Sequence, residues 1–325
     1  ALPDYGPEPL PANAQGMERS AVELAGKLTL GVNIGNTLEA PGGETSWGNP
    51  AISRKYIELI KASGFDLVRL PVAWHSHADP ATARIDPAWL DRVEAVVRLC
   101  LEQDLYVILN SHWDGGWLEE NVTPASADRV AARQRAYWQQ IAARFRDVDQ
   151  RLMFASANEP RAGDAQSMEV LYRYHQVFID AVRDSGGRNA WRNLVVQGPV
   201  TDIEKTNELW REMPADRVPG RLMMEVHFYT PYQFTLMEED ADWGGVFYYW
   251  GKPFHSRDDR KRNATWGEED EVDRLFALMQ RQFVERGVPV ILGEFGAVRR
   301  DELTGDALER HLARAFVVSQ EIETG

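Results

Sequence analysis

Two short segments of this 325-residue chain end an apolar run on a single glutamate. The first is Arg151-Leu152-Met153-Phe154-Ala155-Ser156-Ala157-Asn158-Glu159-Pro160, and the second is Val288-Pro289-Val290-Ile291-Leu292-Gly293-Glu294-Phe295-Gly296. In the first, Pro160 cannot donate to a central ladder and keeps Glu159 extended, so the carboxylate leaves the sheet at its C-terminal edge. Two carboxylates on two strand ends, 135 residues apart in sequence, are the raw material of glycoside hydrolysis. One must be ionised to meet an anomeric carbon and the other must hold a proton for the leaving oxygen. Like charges in one site push two pKa values apart, which supplies both states.

Other polar residues fall at strand ends too. Arg69 closes Leu67–Leu70, His112 follows Leu105–Leu109, and His227 and Tyr229 lie on one side of Leu222–Tyr229 by alternation. Arg69 beside Glu294 would keep that carboxylate anionic, Asn158 could bond a sugar hydroxyl, and Tyr229 could donate to Glu294. The histidines could orient Tyr229 or the sugar. A metal centre built from His75, His77, His112, Asp114 and His227 is disfavoured, because no H-E-x-x-H is present and the 75/77 pair has no close third ligand. No metal and no cofactor are expected.

The elements that must carry these residues alternate strand and helix. Strands are predicted over 28–35, 67–70, 105–109, 152–157, 194–197, 222–229 and 288–294. Helices are predicted over 20–24, 52–63, 87–102, 126–145, 167–184, 203–211, 267–286 and 305–318, after an irregular lead-in at 1–15. Seven such units with polar C-terminal strand ends fit one domain over 1–325, a (β/α)8 TIM barrel. The eighth strand and helix are absent or replaced at the C-terminus, since Ser319–Gly325 is polar. No glycine-rich dinucleotide turn and no P-loop is present.

Composition narrows the partners. A formal net charge of −14 disfavours nucleic acid, and no run of apolar residues is long enough to span a bilayer. Cys100, the single cysteine, reads as a small buried hydrophobe. With 11 Trp, 10 Tyr and 12 Phe, some aromatic faces are expected to line a cleft; Trp47, Trp117, Trp250 and Trp266 sit in polar or glycine-rich surroundings. A monomer is expected, with segment exchange between copies as the alternative if the barrel is incomplete. No signal peptide starts this chain.

The segments Gly31–Glu39, Glu44–Pro50, Val68–Val72, Asn158-Glu159-Pro160, His227-Phe228-Tyr229 and Gly293–Gly296 resemble glycoside hydrolase family 5, more narrowly its bacterial endo-β-1,4-glucanases. The resemblance implies a secreted, metal-free, retaining enzyme that cleaves internal β-1,4 bonds of cellulose-type or mixed-linkage glucan. Xyloglucanase or mannanase activity on the same fold is the alternative, as is a catalytically weak carbohydrate-binding protein with an incomplete barrel. By resemblance Glu159 is the acid/base and Glu294 the nucleophile. Arg69, His112, Asn158, His227 and Tyr229 surround them, and Asn36 contacts sugar beyond the cleavage point. Two departures from the family pattern stand out. Trp113 replaces a second histidine, and nothing after Val318 supplies the tryptophan that relatives carry at the end of strand eight.

Overall fold

The structure, a computed structural model, describes residues 1–298 and 300. Seven parallel strands run in chain order β1 (Gly31–Asn33), β2 (Leu67–Leu70), β3 (Tyr106–Asn110), β4 (Leu152–Ala155), β5 (Leu194–Gln197), β6 (Leu222–Phe228) and β7 (Val290–Phe295). Among the described residues this is a (β/α)8-type barrel lacking its eighth strand and helix, with β1 and β7 facing each other across an unsealed seam. Asn33 Nδ2 crosses that seam to the Gly293 carbonyl at 2.9 Å. The helix expected near 305–318 and the tail 319–325 lie outside the described residues.

Helix α1 (Ala21–Ala25) precedes β1, and α2 (Arg54–Ala62), α3 (Pro87–Glu102), α4 (Ala127–Phe145), α5 (Ala165–Asp184) and α6 (Ile203–Leu209) connect the next strands. The short α7 (Tyr232–Thr235) and then α8 (Glu269–Gln282) lie between β6 and β7. Local chemistry sets their starts. Asp86 caps α3 with Pro87 in its first turn, and Asp164 and Ser167 form a reciprocal capping box on α5.

Strand alternation sorts the side chains into two layers. Val68, Leu70, Val107, Leu109, Leu152, Phe154, Leu194, Val196 and Met224 face the helices in the larger core. Leu67, Ile108, Met153, Ala155, Val195, Met223 and Ile291 fill the barrel interior, where Ala21 and Leu24 of α1 close the bottom. Two residues further along the same inward rows come Arg69, Gln197, Glu225 and Gly293. The barrel is therefore apolar below and polar above. Its polar level is the floor of the site.

The ladder between β6 and β7 slips once. Val226 pairs with Leu292 but His227 pairs with Glu294, leaving Gly293 as an extra residue. Such a bulge reverses the facing of everything beyond it. Simple alternation from Ile291 would turn Glu294 toward the helices; the bulge turns it into the barrel mouth beside His227.

Candidate active site

Arg69 is the hub of the mouth. It is 3% exposed; Nη1 donates to Glu294 Oε1 at 2.8 Å and to Asn33 Oδ1 at 2.9 Å, Nη2 donates to Asn158 Oδ1 at 2.8 Å, and Nε lies 2.9 Å from Glu225 Oε1. Burial disfavours its charge, but Glu225 and Glu294 more than offset that and hold it protonated. Glu294 receives a second donor, the Tyr229 hydroxyl, at 3.0 Å. Burial and the adjacent Glu294 charge push the Tyr229 phenol up, so it remains a donor.

His227 links the remaining carboxylates. Its Nδ1–H donates to Glu159 Oε1 at 2.7 Å and its Nε2–H to Glu225 Oε1 at 3.1 Å. Burial opposes an imidazolium here, but the two carboxylate partners and the Glu294 charge raise its pKa to about 9. The histidine therefore orients Glu159 and Glu225 rather than Tyr229. Glu159 feels burial upward, yet the His227 hydrogen bond and charge carry its pKa below the ordinary carboxylate value. One oxygen from Glu159, one from Glu294 and a nitrogen of His227 all lie within 4.8 Å of one another. Three such groups could chelate a cation, but both His227 nitrogens are already engaged as donors to carboxylates.

Glu225 has no counterpart in the sequence reading. It is fully buried, forms an ion pair with Arg69 and hydrogen bonds with His227 and the Gln197 amide, the last at 2.7 Å. Burial would raise its pKa, but the Arg69 charge and the His227 hydrogen bond bring it to about 2. A charged residue two positions before His227 in an otherwise apolar strand was the available signal. Glu119, in the loop after β3, was also missed. It is 4% exposed and its Oε1 accepts from the Glu159 main-chain N–H at 2.7 Å. Burial raises its pKa to about 7, with the Glu159 charge adding and the Glu159 N–H opposing.

A groove of about 720 Å³ follows the seam between β1 and β7 and reaches Asn36, Arg69, His112, Tyr229 and Glu294. Asn36 is exposed, held by its main-chain N–H to the Glu39 carboxylate and by its carbonyl to Asn49 Nδ2 at 3.0 Å. His112 Nδ1 accepts from Asn110 Nδ2 at 3.0 Å, and burial with the nearby Arg69 charge keeps the ring well below its usual pKa and neutral.

The family profile described as Cellulase (glycosyl hydrolase family 5) matches residues 32–320. The chain belongs to glycosyl hydrolase family 5. Among its family 5 relatives is a xyloglucan-specific endo-β-1,4-glucanase of Bacteroides ovatus, 42% identical over 96% of this chain and 64% of that protein. The cellulase/esterase CelE of Acetivibrio thermocellus is 34% identical, over 92% of this chain and 35% of that protein. The chain thus spans less than two thirds of the length of either relative. The solved Bacteroides ovatus family 5 xyloglucanase in complex with a XXXG heptasaccharide matches with a TM-score of 0.89 at 38% identity, over 99% of this chain and 71% of that one. A broad-specificity endoglucanase from Bacteroides salanitronis matches with a TM-score of 0.83 at 34% identity, over 100% and 85%.

The tryptophans of this family 5 chain divide by burial. Trp47, Trp113 and Trp266 are exposed, with Trp113 Nε1 3.4 Å from Glu120 Oε1. Trp117 and Trp250, expected to line a cleft, are instead packed inside. Trp117 is 5% exposed, stacked on His75 and edge-on to Tyr137; Trp250 is 1% exposed, with Nε1 on the Gly267 carbonyl at 2.8 Å. Polar neighbours in sequence misled here, because the apolar partners of both rings come from distant segments. The alternative metal ligands are used otherwise. His75 Nδ1 meets the Tyr137 hydroxyl at 2.7 Å, Asp114 accepts from the Ser76 and His75 backbone, and His77 stacks on Trp89. Among the described residues no helix is long and apolar enough to cross a membrane.

Proposed function

We propose that this chain is a retaining endo-β-1,4-glucanase that cleaves the backbone of xyloglucan, with Glu294 as nucleophile and Glu159 as acid/base. The observation that carries the reading is the pair of carboxylates flanking His227, with oxygens inside 4.8 Å. Retaining glycosidases need roughly 5–5.5 Å between the two carboxyl groups, whereas inverting ones leave roughly 6.5–9.5 Å for a water. Arg69 and Tyr229 orient Glu294 and favour its anionic form for attack on the anomeric carbon. The Glu159 side chain is 39% exposed, so a sugar chain seated over it strips water and raises its pKa toward the protonated acid that the leaving oxygen requires. After the glycosyl-enzyme forms at Glu294, the same Glu159 carboxylate takes a proton from the attacking water. Asn158, fixed by Arg69, presents its amide to the sugar hydroxyls.

Xyloglucan is favoured over unsubstituted glucan by the likeness to the Bacteroides ovatus enzyme and to a xyloglucan-specific β-1,4-glucanase from a ruminal metagenomic library, both named for xyloglucan. A broader β-1,4-glucanase is the second reading, favoured by the likeness to the Bacteroides salanitronis enzyme. The polymer cannot enter a cell, so the reaction belongs outside the cytoplasm. Reducing-end release from xyloglucan, mixed-linkage β-glucan, carboxymethylcellulose and mannan tests the proposal, with Glu159→Gln and Glu294→Gln alongside. Xyloglucan should be hydrolysed fastest, both variants should lose turnover by about 10³-fold or more, and the product should retain β configuration at its first appearance. Faster release from carboxymethylcellulose would support the broader reading, and an α-configured first product would rule out double displacement through Glu294.

A further inference from the structure

We infer that Glu119 is a positioning residue for the acid/base step, acting through the main chain of Glu159. The inference rests on the reading of Glu159 as acid/base. Glu159 follows the last residues of β4, where the ladder has ended and no strand partner is left for its N–H. Glu119 supplies the acceptor, at 2.7 Å, from a loop that belongs to the neighbouring strand. The attachment is double, since the Arg161 N–H donates to the Glu119 carbonyl at 2.9 Å. The Asn158 side-chain amide also engages the Glu119 carboxylate. Asn158 and Glu159 thus hang on one carboxylate, and Arg161 on the main chain of the same residue, which is 4% exposed and does not itself line the groove.

On the other flank the stretch leans on the loop after β5. The Val200 N–H donates to the Pro160 carbonyl at 2.8 Å and the Thr201 hydroxyl reaches Glu159 Oε1 at 3.3 Å. Glu159 is held at its carboxylate by His227 and Thr201 and at its main chain by Glu119. The Glu119 hold is the one made directly to the Glu159 main chain, so it bears on where that backbone stands relative to Glu294. Shortening this side chain by one methylene pulls the acceptor away from the Glu159 N–H, and a shift of about 1 Å in a catalytic group costs on the order of 100-fold in rate.

A role in positioning the acid differs from a general structural role in its dependence on the leaving group. An aryl glycoside with a dinitrophenyl leaving group departs without protonation, whereas the phenyl glycoside of the same oligosaccharide needs the acid. The experiment measures kcat/KM, which reports steps up to the glycosyl-enzyme, for both glycosides with Glu119→Asp, Glu119→Gln and Glu159→Gln. Glu119→Asp should lose about 30–100-fold on the phenyl glycoside and less than about 3-fold on the dinitrophenyl one. Glu119→Gln keeps an oxygen acceptor and should stay near wild type on both. Equal losses of Glu119→Asp on both glycosides, no loss on either, or a Glu119→Gln variant as impaired as Glu119→Asp would overturn the inference. If Glu159→Gln shows no leaving-group dependence, the acid/base reading itself fails and the inference falls with it. Selectivity in Glu159→Gln without selectivity in Glu119→Asp removes Glu119 alone.

Discussion

Gly293 of β7 and Glu225 of β6 share a space that admits one side chain. A Cβ placed on Gly293 would stand 2.0 Å from Glu225 Oε1 and 2.7 Å from its Cδ. The buried carboxylate that holds Arg69 and His227 reaches them across the position a Gly293 side chain would fill. Because Gly293 is also the bulged residue, one glycine both makes room for Glu225 and turns Glu294 into the mouth. Gly293→Ala should lower unfolding free energy by about 1–3 kcal/mol from overpacking. By displacing Arg69 or Glu294 it should also reduce turnover on the order of 100-fold. Denaturant titration and kcat together check this; a variant matching wild type in both would show that the carboxylate has room to move.

Glu225 should govern acid stability. Its folded pKa of about 2 lies below the ordinary value of 4.5, so its contribution is present above pH 4.5 and is lost as pH falls through 2. A shift of that size corresponds to about 3 kcal/mol. Glu225→Gln removes a charge from a buried cluster and should cost about 3–5 kcal/mol at neutral pH. It should also flatten the decline between pH 4.5 and 2. Urea midpoints measured across that range decide the matter, and an unchanged acid slope in the variant would assign acid unfolding to other carboxylates.

His227 works in the opposite sense. Its pKa is raised from 6.5 to about 9, so the stability it contributes is complete below pH 6.5 and disappears as pH rises through 9. Above that pH, Glu159 and Glu225 lose a charged donor, and turnover should fall with an alkaline limb near 9. His227→Gln, which offers no titrating group, should be less active at pH 7 and lack the loss of stability between 6.5 and 9. A variant that keeps the wild-type alkaline slope would contradict the assignment.

Two neighbouring tryptophans should behave differently. Trp117 is packed between His75 and Tyr137, and Trp117→Ala should cost about 3–5 kcal/mol of stability. Trp113 is 39% exposed beside His112, and Trp113→Ala should leave the unfolding midpoint nearly unchanged while raising KM for oligosaccharides. Thermal unfolding and initial-rate kinetics on both variants separate the roles; a destabilised Trp113→Ala with unchanged KM would reverse the distinction.

Sequence by itself determined the elements and most of the mouth. Short apolar runs ended by Pro71 and Pro160, with helical spacing between them, placed β2, β5 and α3 at the residues where they occur and β4 with its end two residues late. Arg69, Asn158, Glu159, His227, Tyr229 and Glu294 were legible because each is a polar residue at the end of an apolar run. Only the tertiary structure decided which carboxylates share a network. Glu225 lies inside a strand and Glu119 in a loop, and each becomes part of the site only when other strands bring Arg69 and Gln197, or Glu159, within reach. The burial of Trp117 and Trp250 was likewise set by rings from other segments. The facing of Glu294 depended on a slip of one residue between β6 and β7. Alternation is a property of one strand, but register belongs to two, and the space that fixed it at Gly293 is filled by Glu225 from the other strand.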